Sequence, residues 1–255
     1  MKTTLLLGLV LTLSGAALAQ EPLYMEGATH PGRGQLYLRT QALFTDYRDS
    51  SEGDDRLVMR TKLVYGIRGN LAALVDADLE RFRFQDDGTT TGLSRLALRL
   101  KYRVMQRDLG PLDTWRTSLF AGADLPVGNS RLAPDHLQPR LGVATTAILG
   151  RHGLNGEIAW PRRPGVKPDE FEFHASHLYR IAPARFAADT SGAWYTVAES
   201  LNTVTSHGDY QLDLALGILY EARHWAAEAG VRLPLAQDGP REMRYETIIG
   251  IRYLF

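Results

Sequence analysis

The 255-residue sequence contains no cysteine, which excludes a disulfide framework, a cysteine zinc site and a thiol nucleophile. It also lacks an excess of charge of either sign, because 29 basic side chains are balanced by 29 acidic ones. Proteins that bind nucleic acid normally gather basic side chains on one face, so we expect no nucleic-acid partner. Helical periodicity is scarce, and beyond the first twenty residues no apolar run approaches the roughly 20 residues that a membrane-spanning helix needs.

The first nineteen residues have the three parts of a secretory signal peptide. Lys2 supplies a positive start, residues 5–13 form an apolar core, and Ala17 and Ala19 form a small-x-small cleavage site before Gln20. An N-terminal membrane anchor is the alternative, but the apolar stretch is too short for it. We predict a signal peptide at residues 1–19, a short periplasmic N-terminal segment at 20–33 and one β-domain at 34–255.

From residue 34 onward, apolar and polar side chains alternate in segments of about ten residues, the pattern of strands with two unlike faces. In the second segment Leu57, Met59 and Leu63 share one face, whereas Arg60 and Lys62 share the other. The pattern predicts about twelve strands, which begin near residues 35, 56, 71, 95, 115, 140, 154, 171, 194, 210, 225 and 243.

The predicted connections alternate between tight turns and longer polar loops. Tight links fall at residues 69–70, 150–153 and 222–223, and longer links at 47–55, 85–92, 128–138 and 161–170. Up-and-down barrels of the outer membrane show this asymmetry, with short turns on the periplasmic side. Because lipid cannot satisfy a free sheet edge, a spanning sheet must close on itself. The sequence therefore predicts an all-β, antiparallel, up-and-down transmembrane β-barrel of about twelve strands in the bacterial outer membrane.

Alternation alone does not decide which face meets lipid. A secreted lipocalin-type barrel would point its apolar face inward, but the lumen of a twelve-stranded barrel is too wide for an apolar lining to fill. Aromatic residues near the strand ends and the aromatic last residue, Phe255, favour an apolar exterior. We expect the exterior to contact outer-membrane lipid and lipopolysaccharide, and the barrel-assembly machinery to engage the strand that ends at Phe255.

The polar face is heavily charged and would line the lumen. One interpretation is a pore whose basic and acidic walls select small solutes by charge, with Arg60, Arg99, Lys101 and Arg103 facing anions. The alternative is that the long side chains pair across the lumen and only reinforce the wall. The predicted lumen-facing or solute-facing residues are Arg60, Lys62, Asp76, Asp78, Glu80, Arg95, Arg99, Lys101, Arg103, Arg116, Glu199, Asp213 and Glu228.

Several short segments resemble outer-membrane transporters associated with aromatic (phenol) meta-cleavage pathways. They are Ala123-Asp124-Leu125-Pro126-Val127-Gly128, Gln138-Pro139-Arg140-Leu141-Gly142, Ala198-Glu199 and the aromatic C-terminus. The resemblance spans roughly residues 34–255 and implies a barrel for the uptake of small, hydrophobic or aromatic solutes. Long-chain fatty-acid channels are a poorer match, because only residues 20–33 precede the first strand and we expect them to be too few for a plug.

Candidates for catalysis and metal binding are weak. His174 and Ser176 have the His-x-Ser spacing of outer-membrane lipid hydrolases, in which the imidazole takes the serine proton. Their parity, however, points them to the lumen and away from acyl chains. The seven histidines follow no ligand spacing, and an acidic run at residues 46–55 is more typical of a solvated loop than of a calcium site. We expect no cofactor and a selective channel or transporter, with a non-conducting structural barrel or a His174/Ser176 hydrolase as alternatives.

Overall fold

The structure, a computed structural model, describes residues 20–48, 55–84, 88–110, 113–162, 170–187, 190–238 and 242–255. The predicted signal peptide at residues 1–19 lies outside these ranges, as do Asp49, Glu52 and Asp54 of the acidic run. The described residues form twelve strands: β1 (Leu36–Arg48), β2 (Asp55–Arg68), β3 (Leu71–Phe84), β4 (Gly88–Asp108), β5 (Thr114–Asp124), β6 (Gln138–Leu149), β7 (His152–Pro161), β8 (Glu170–Ala182), β9 (Gly192–Thr205), β10 (Tyr210–Ala222), β11 (Trp225–Gln237) and β12 (Glu242–Leu254).

The strands close into a single antiparallel barrel in which each strand pairs with its neighbours in the sequence. Closure joins the first strand to the last, from Tyr37 opposite Leu254 to Arg48 opposite Glu242. The backbone of Phe255 continues this seam, because its N–H donates to the Leu36 carbonyl at 2.8 Å. The predicted fold class, an up-and-down barrel of twelve strands, is confirmed. Within the described part of the chain, no helix is long and apolar enough to cross a membrane.

The two faces of the sheet have the predicted polarity. Leu98 and Leu100 are 48% and 53% exposed on the exterior, while Arg99 between them is only 8% exposed in the interior. Ile249 on β12 is 63% exposed, whereas Asp213 on β10 is fully buried. An apolar outer surface around a charged interior is the arrangement that a lipid environment requires.

The connections fall into two groups at opposite ends of the barrel. Residues 69–70, 150–151 and 223–224 form tight links at the end that also carries the first residue of β1 and the last of β12. By the rule for outer-membrane barrels this is the periplasmic end. The link predicted at 85–92 is shorter than expected, because β4 begins at Gly88 and not near Arg95. The β-branched residues Thr89, Thr90 and Thr91 belong to β4 and extend its pairing with β3.

Candidate functional site: the interior of the barrel

The N-terminal segment, residues 20–33, lies inside the barrel. Gln20, Leu23, Met25, Ala28 and Thr29 are each at most 3% exposed. Our expectation that these residues are too few for a plug is therefore wrong, because they occupy the lumen. The physical reason is that the wall supplies many hydrogen-bond partners to an extended chain, so no independently folded plug is needed.

Two glycines at the periplasmic rim shape the turn between the N-terminal segment and β1. Gly34 lies in the turn and Gly66 lies opposite it on β2. Gly34 has a φ of 78°, a left-handed conformation that glycine adopts without strain. Its N–H donates to the carbonyl of Gly66 on β2 at 2.7 Å, and the Gly66 N–H donates to the carbonyl of Gln35 at 3.0 Å. A Cβ on Gly66 would overlap the backbone of Gly32. The close approach of these two backbones fixes where the N-terminal segment leaves the wall.

Acidic and hydroxyl side chains of the wall accept hydrogen bonds from the backbone of the N-terminal segment. Glu199 on β9 accepts from the N–H groups of Leu23 and Tyr24, the second at 3.0 Å. Three further strands contribute: Glu157 accepts from Glu26 at 2.6 Å, Thr146 from Ala28 at 2.9 Å and Glu221 from Gln20 at 2.9 Å. A buried backbone donor needs a partner, and these wall side chains provide it where no strand pairs with the segment.

Basic and amide side chains bind the carbonyls of the same segment. Arg39 on β1 donates to the carbonyls of Pro22 and Leu23 at 2.9 and 2.6 Å, and Arg252 on β12 donates to the Pro22 carbonyl at 2.9 Å. Both guanidiniums also pair with Glu228 on β11, which is completely enclosed between them. Glu228 thus holds two arginines in position to bind the N-terminal segment.

Glu26 is the charged centre of the N-terminal segment. Its carboxylate lies 2.7 Å from Lys101 Nζ on β4 and 2.6 Å from Lys62 Nζ on β2, and 3.8 Å from the guanidinium of Arg99. Burial alone would raise the pKa of the Glu26 carboxyl, but the neighbouring cations Lys101 and Lys62 lower it well below its usual value. Glu26 is therefore ionised when the segment is seated.

Apolar contacts also hold the N-terminal segment inside the barrel. Leu23 packs in a buried cluster that includes Tyr195 and Val197 of β9 and Leu219 of β10. Ala28 packs against Phe120 of β5 in a second cluster. Sequence reasoning missed this feature. The available signal was the apolar run of Ala193, Tyr195 and Val197 on a strand face predicted to line a polar lumen, because such side chains need an apolar partner.

Nearer the extracellular end, the interior charges form ion pairs with each other, although Arg232 also lies 5.6 Å over the ring of Tyr24 in the N-terminal segment. These wall pairs join neighbouring strands, except for one pair that joins β6 to β8. They are Arg56–Glu80 at 2.7 Å, Arg60–Asp78 at 3.2 Å, Arg95–Asp124 at 2.8 Å, Arg140–Glu172 and Arg232–Asp213. The arginine side chains of these pairs remain between 18% and 32% exposed.

The structure places the predicted lumen residues on the interior face, with differing partners. Arg60, Asp78, Glu80, Arg95 and Asp213 belong to wall pairs, and Arg99 pairs with Asp76. The N-terminal segment contacts Lys62, Lys101 and Glu199. Glu228 pairs with the arginines that bind the segment. Arg103 instead donates to the Gly69 carbonyl, and the Nε of Arg116 is buried without a hydrogen-bond partner.

The candidate catalytic pair is not assembled. Among the described residues, no hydrogen bond joins His174 to Ser176. The Nδ1 of His174 accepts from the backbone N–H of Asn202 at 3.1 Å, and the Ser176 hydroxyl accepts from Asn155 Nδ2 at 3.1 Å. The described ranges also contain no group of three His, Asp or Glu side chains placed to hold a metal ion. That the protein is not an enzyme stays a prediction.

The fold and its polarity define a bacterial outer-membrane β-barrel. An outer-membrane channel from Pseudomonas putida F1 has the same fold, with a TM-score of 0.58 and 13% identity over 93% of this chain and all of that one. The NanC porin aligns with a TM-score of 0.54 and 11% identity over 85% of this chain and 98% of its own. The KdgM porin aligns with a TM-score of 0.50 and 10% identity over 86% and 99%. No protein-family model matches the sequence, and comparison with curated proteins finds no significant match.

Proposed function

We propose that this protein is an outer-membrane channel for small solutes, with a charged, constricted lumen that its own N-terminal segment closes. The observation that carries the proposal is the occupation of the interior by residues 20–33. Their backbone is bound by side chains from several strands, among them Arg39, Glu199 and Arg252. Since these contacts are non-covalent, the N-terminal segment can leave the lumen while the barrel stays closed as a sheet.

The arrangement supports a channel over a purely structural barrel. In a purely structural barrel, the long charged side chains would pair with each other across the lumen and only reinforce the wall. Here the wall instead presents Glu157, Glu199 and Lys101 to a segment whose backbone, within the described ranges, hydrogen-bonds to the sheet backbone at the rim. Without that segment, these charged groups would be hydrated and would line an aqueous path.

The charges of the wall pairs suggest how solutes are selected. Arginines and carboxylates alternate around the extracellular half of the lumen, so a solute passing through meets fixed charges of both signs at short range. The resemblance to transporters associated with aromatic meta-cleavage pathways supports small hydrophobic or aromatic compounds as the solutes. A polar substituent on such a compound would interact with the wall pairs.

Single-channel recording in planar bilayers tests the proposal. We compare the wild type with a variant in which residues 22–29 are replaced by glycine and serine at unchanged length. A matched control carries the same replacement in residues 129–136, in the connection after β5. We expect rare openings in the wild type and the control, and sustained conductance in the segment variant. Folding of all three is checked by the slower gel migration of the heated barrel.

Two results would contradict the proposal in different ways. A folded segment variant that stays silent at all voltages, with or without aromatic solutes, would favour the structural barrel. Equal conductance of the wild type and the segment variant would keep the channel but remove closure by the N-terminal segment.

A further inference from the structure

Two of the predicted lumen cations, Arg103 on β4 and Arg116 on β5, differ from the others in their partners. Arg60, Lys62, Arg95, Arg99 and Lys101 each form an ion pair with a carboxylate within the described ranges. In that same part of the chain, the Arg103 guanidinium donates only to the Gly69 carbonyl, and the Arg116 guanidinium has neither an ion pair nor a hydrogen bond. The Nε of Arg116 is buried without an acceptor, as is the Nε of five other arginines in the described ranges, so the missing carboxylate partner is what distinguishes Arg103 and Arg116.

Arg103 and Arg116 lie together at the periplasmic mouth of the lumen. Their strands are paired, with Arg103 opposite Ser118 and Arg116 opposite Gln106. Both side chains are half-buried, and their positions are diagonal neighbours across the strand pair, within reach of long side chains. Two like charges held side by side on a rigid sheet are unfavourable unless a counter-charge binds between or beside them.

The Asp108 carboxylate, which attracts both arginines, is bound by other side chains. Asp108, at the end of β4, exerts an attraction on both guanidiniums but is not within ion-pair distance of either in the described structure. It accepts hydrogen bonds from Gln106 at 3.1 and 3.0 Å and from Thr114 at 2.9 Å. Asp108 therefore reduces the local positive charge without satisfying the donors of Arg103 or Arg116.

A second unsatisfied atom borders the same place from the N-terminal segment. His30 lies within electrostatic range of Lys101, Arg103 and Arg116, and its Nε2 is buried without a hydrogen-bond partner. Its Nδ1 is 3.1 Å from the Pro31 carbonyl, which can only accept, so Nδ1 carries the hydrogen. With the hydrogen on Nδ1, Nε2 of the neutral ring can only accept a hydrogen bond, so it requires a donor such as water beside the arginines and does not itself bind an oxyanion.

We infer that Arg103 and Arg116 form a binding site for a small oxyanion, of which a carboxylate-bearing solute is the class that suits a solute channel. Planar guanidiniums bind carboxylate oxygens through paired, charge-assisted hydrogen bonds. The site opens to the periplasm and is present while the N-terminal segment is seated. Its role as the last site that an anionic solute meets on leaving the lumen rests on the proposed function.

Binding is measured without any transport, by ligand-observed saturation-transfer NMR on the full purified protein in detergent. Benzoate is the probe, and benzyl alcohol is its neutral counterpart. We expect saturable benzoate binding in the wild type and affinity about tenfold lower in Arg103→Gln or Arg116→Gln, because each change removes charge-assisted hydrogen bonds to the carboxylate. Arg107→Gln, an exposed arginine on the same strand, should bind as the wild type does.

The outcomes separate this inference from the proposed function. Benzoate binding that is unchanged in the Arg103→Gln/Arg116→Gln double variant, or equal binding of benzyl alcohol, would overturn the inference whether or not the barrel conducts. Arginine-dependent binding to a barrel that stays silent would retain the site and contradict only the channel. Displacement of benzoate by inorganic phosphate would identify the oxyanion as the recognised group, while its persistence would show that the site favours the carboxylate.

Discussion

The interior charges that contact the N-terminal segment differ from those nearer the extracellular end in their access to water. The segment-bound pairs join Glu228 to Arg39 and Arg252, and Glu26 to Lys62 and Lys101. Arg252 and Glu228 have no exposed side-chain surface, and Lys101 is 1% exposed. In the wall pairs the contrast lies in the arginines, because Arg56 keeps 32% and Arg60 27% of the side chain exposed, whereas their partners Glu80 and Asp78 are 7% and 4% exposed.

This difference determines what each set of charges contributes. Charges removed from water carry a large desolvation cost, so loss of one partner leaves the other buried and uncompensated. The arginines of the wall pairs remain partly hydrated, and a partly hydrated charge gains less from pairing than an enclosed one. The segment-bound pairs should therefore control whether residues 20–33 stay in place, whereas the wall pairs set the field in the lumen at little cost to stability.

Removal of the charge on Glu228 should have the largest effect. Glu228→Gln leaves the guanidiniums of Arg39 and Arg252 together in a dry environment, and breaking a buried pair in this way costs roughly 3 to 5 kcal/mol. We expect a lower urea midpoint of unfolding, followed by tryptophan fluorescence in detergent. A midpoint within error of the wild type would show that water reaches these arginines and that the two sets of pairs do not differ.

Neutralisation of Glu26 should unseat the N-terminal segment and leave the barrel intact. Glu26→Gln removes the counter-charge of Lys62 and Lys101, and hydrogen bonds to charged groups contribute about 1.5 to 3 kcal/mol. The population with the segment displaced should then rise at least about tenfold. Limited proteolysis within residues 20–33 measures this population, with Glu80→Gln, from a wall pair, as the control. Equal cleavage of the two variants would contradict a specific role for Glu26.

Much of the barrel was predictable from the sequence, because it depends on a local pattern. The alternation of Leu98, Arg99 and Leu100 assigns each residue to a face whatever its partners are, and the spacing of turns fixes the strand order. The start of β4 was missed because Thr89 to Thr91 do not alternate in polarity. Their strand conformation depends on pairing with β3.

The position of the N-terminal segment was not predictable by the same means. Residues 20–33 have no period of two, and their partners are distant in the sequence, such as Glu157 for the N–H of Glu26. A pattern shows that Glu157 and Glu199 point inward, but not that a backbone N–H lies opposite them. Likewise, the alternation placed Arg99 and Arg103 on one face without showing that Arg99 pairs with Asp76, whereas Arg103 pairs with none of the carboxylates in the described ranges.

A methyl group at Gly153 should disturb only the end of the N-terminal segment. A Cβ on this β7 residue would overlap the side-chain oxygen of Gln20 and lie 3.0 Å from its Cβ. Overpacking lowers stability by roughly 1 to 3 kcal/mol. Because the Gln20 side chain can move away, we expect a loss of stability near the lower value. Gly153→Ala should increase proteolysis near Gln20 less than Glu26→Gln does. Gly156→Ala, where the nearest atom is Thr145 Cγ2 at 3.2 Å, provides a control on the same strand.

The smallest effect is expected for a wall pair. Arg95 and Asp124 lie 2.8 Å apart with side chains 25% and 20% exposed, and exposed pairs of this kind contribute about 0 to 1 kcal/mol. Asp124→Asn should leave the urea midpoint within that range and leave the N-terminal segment seated. Its effect should appear in the segment-replaced channel, where loss of one carboxylate moves the reversal potential toward anion preference. A loss of stability as large as that of Glu228→Gln would mean that the extracellular half of the lumen is as dry as the part that the N-terminal segment fills.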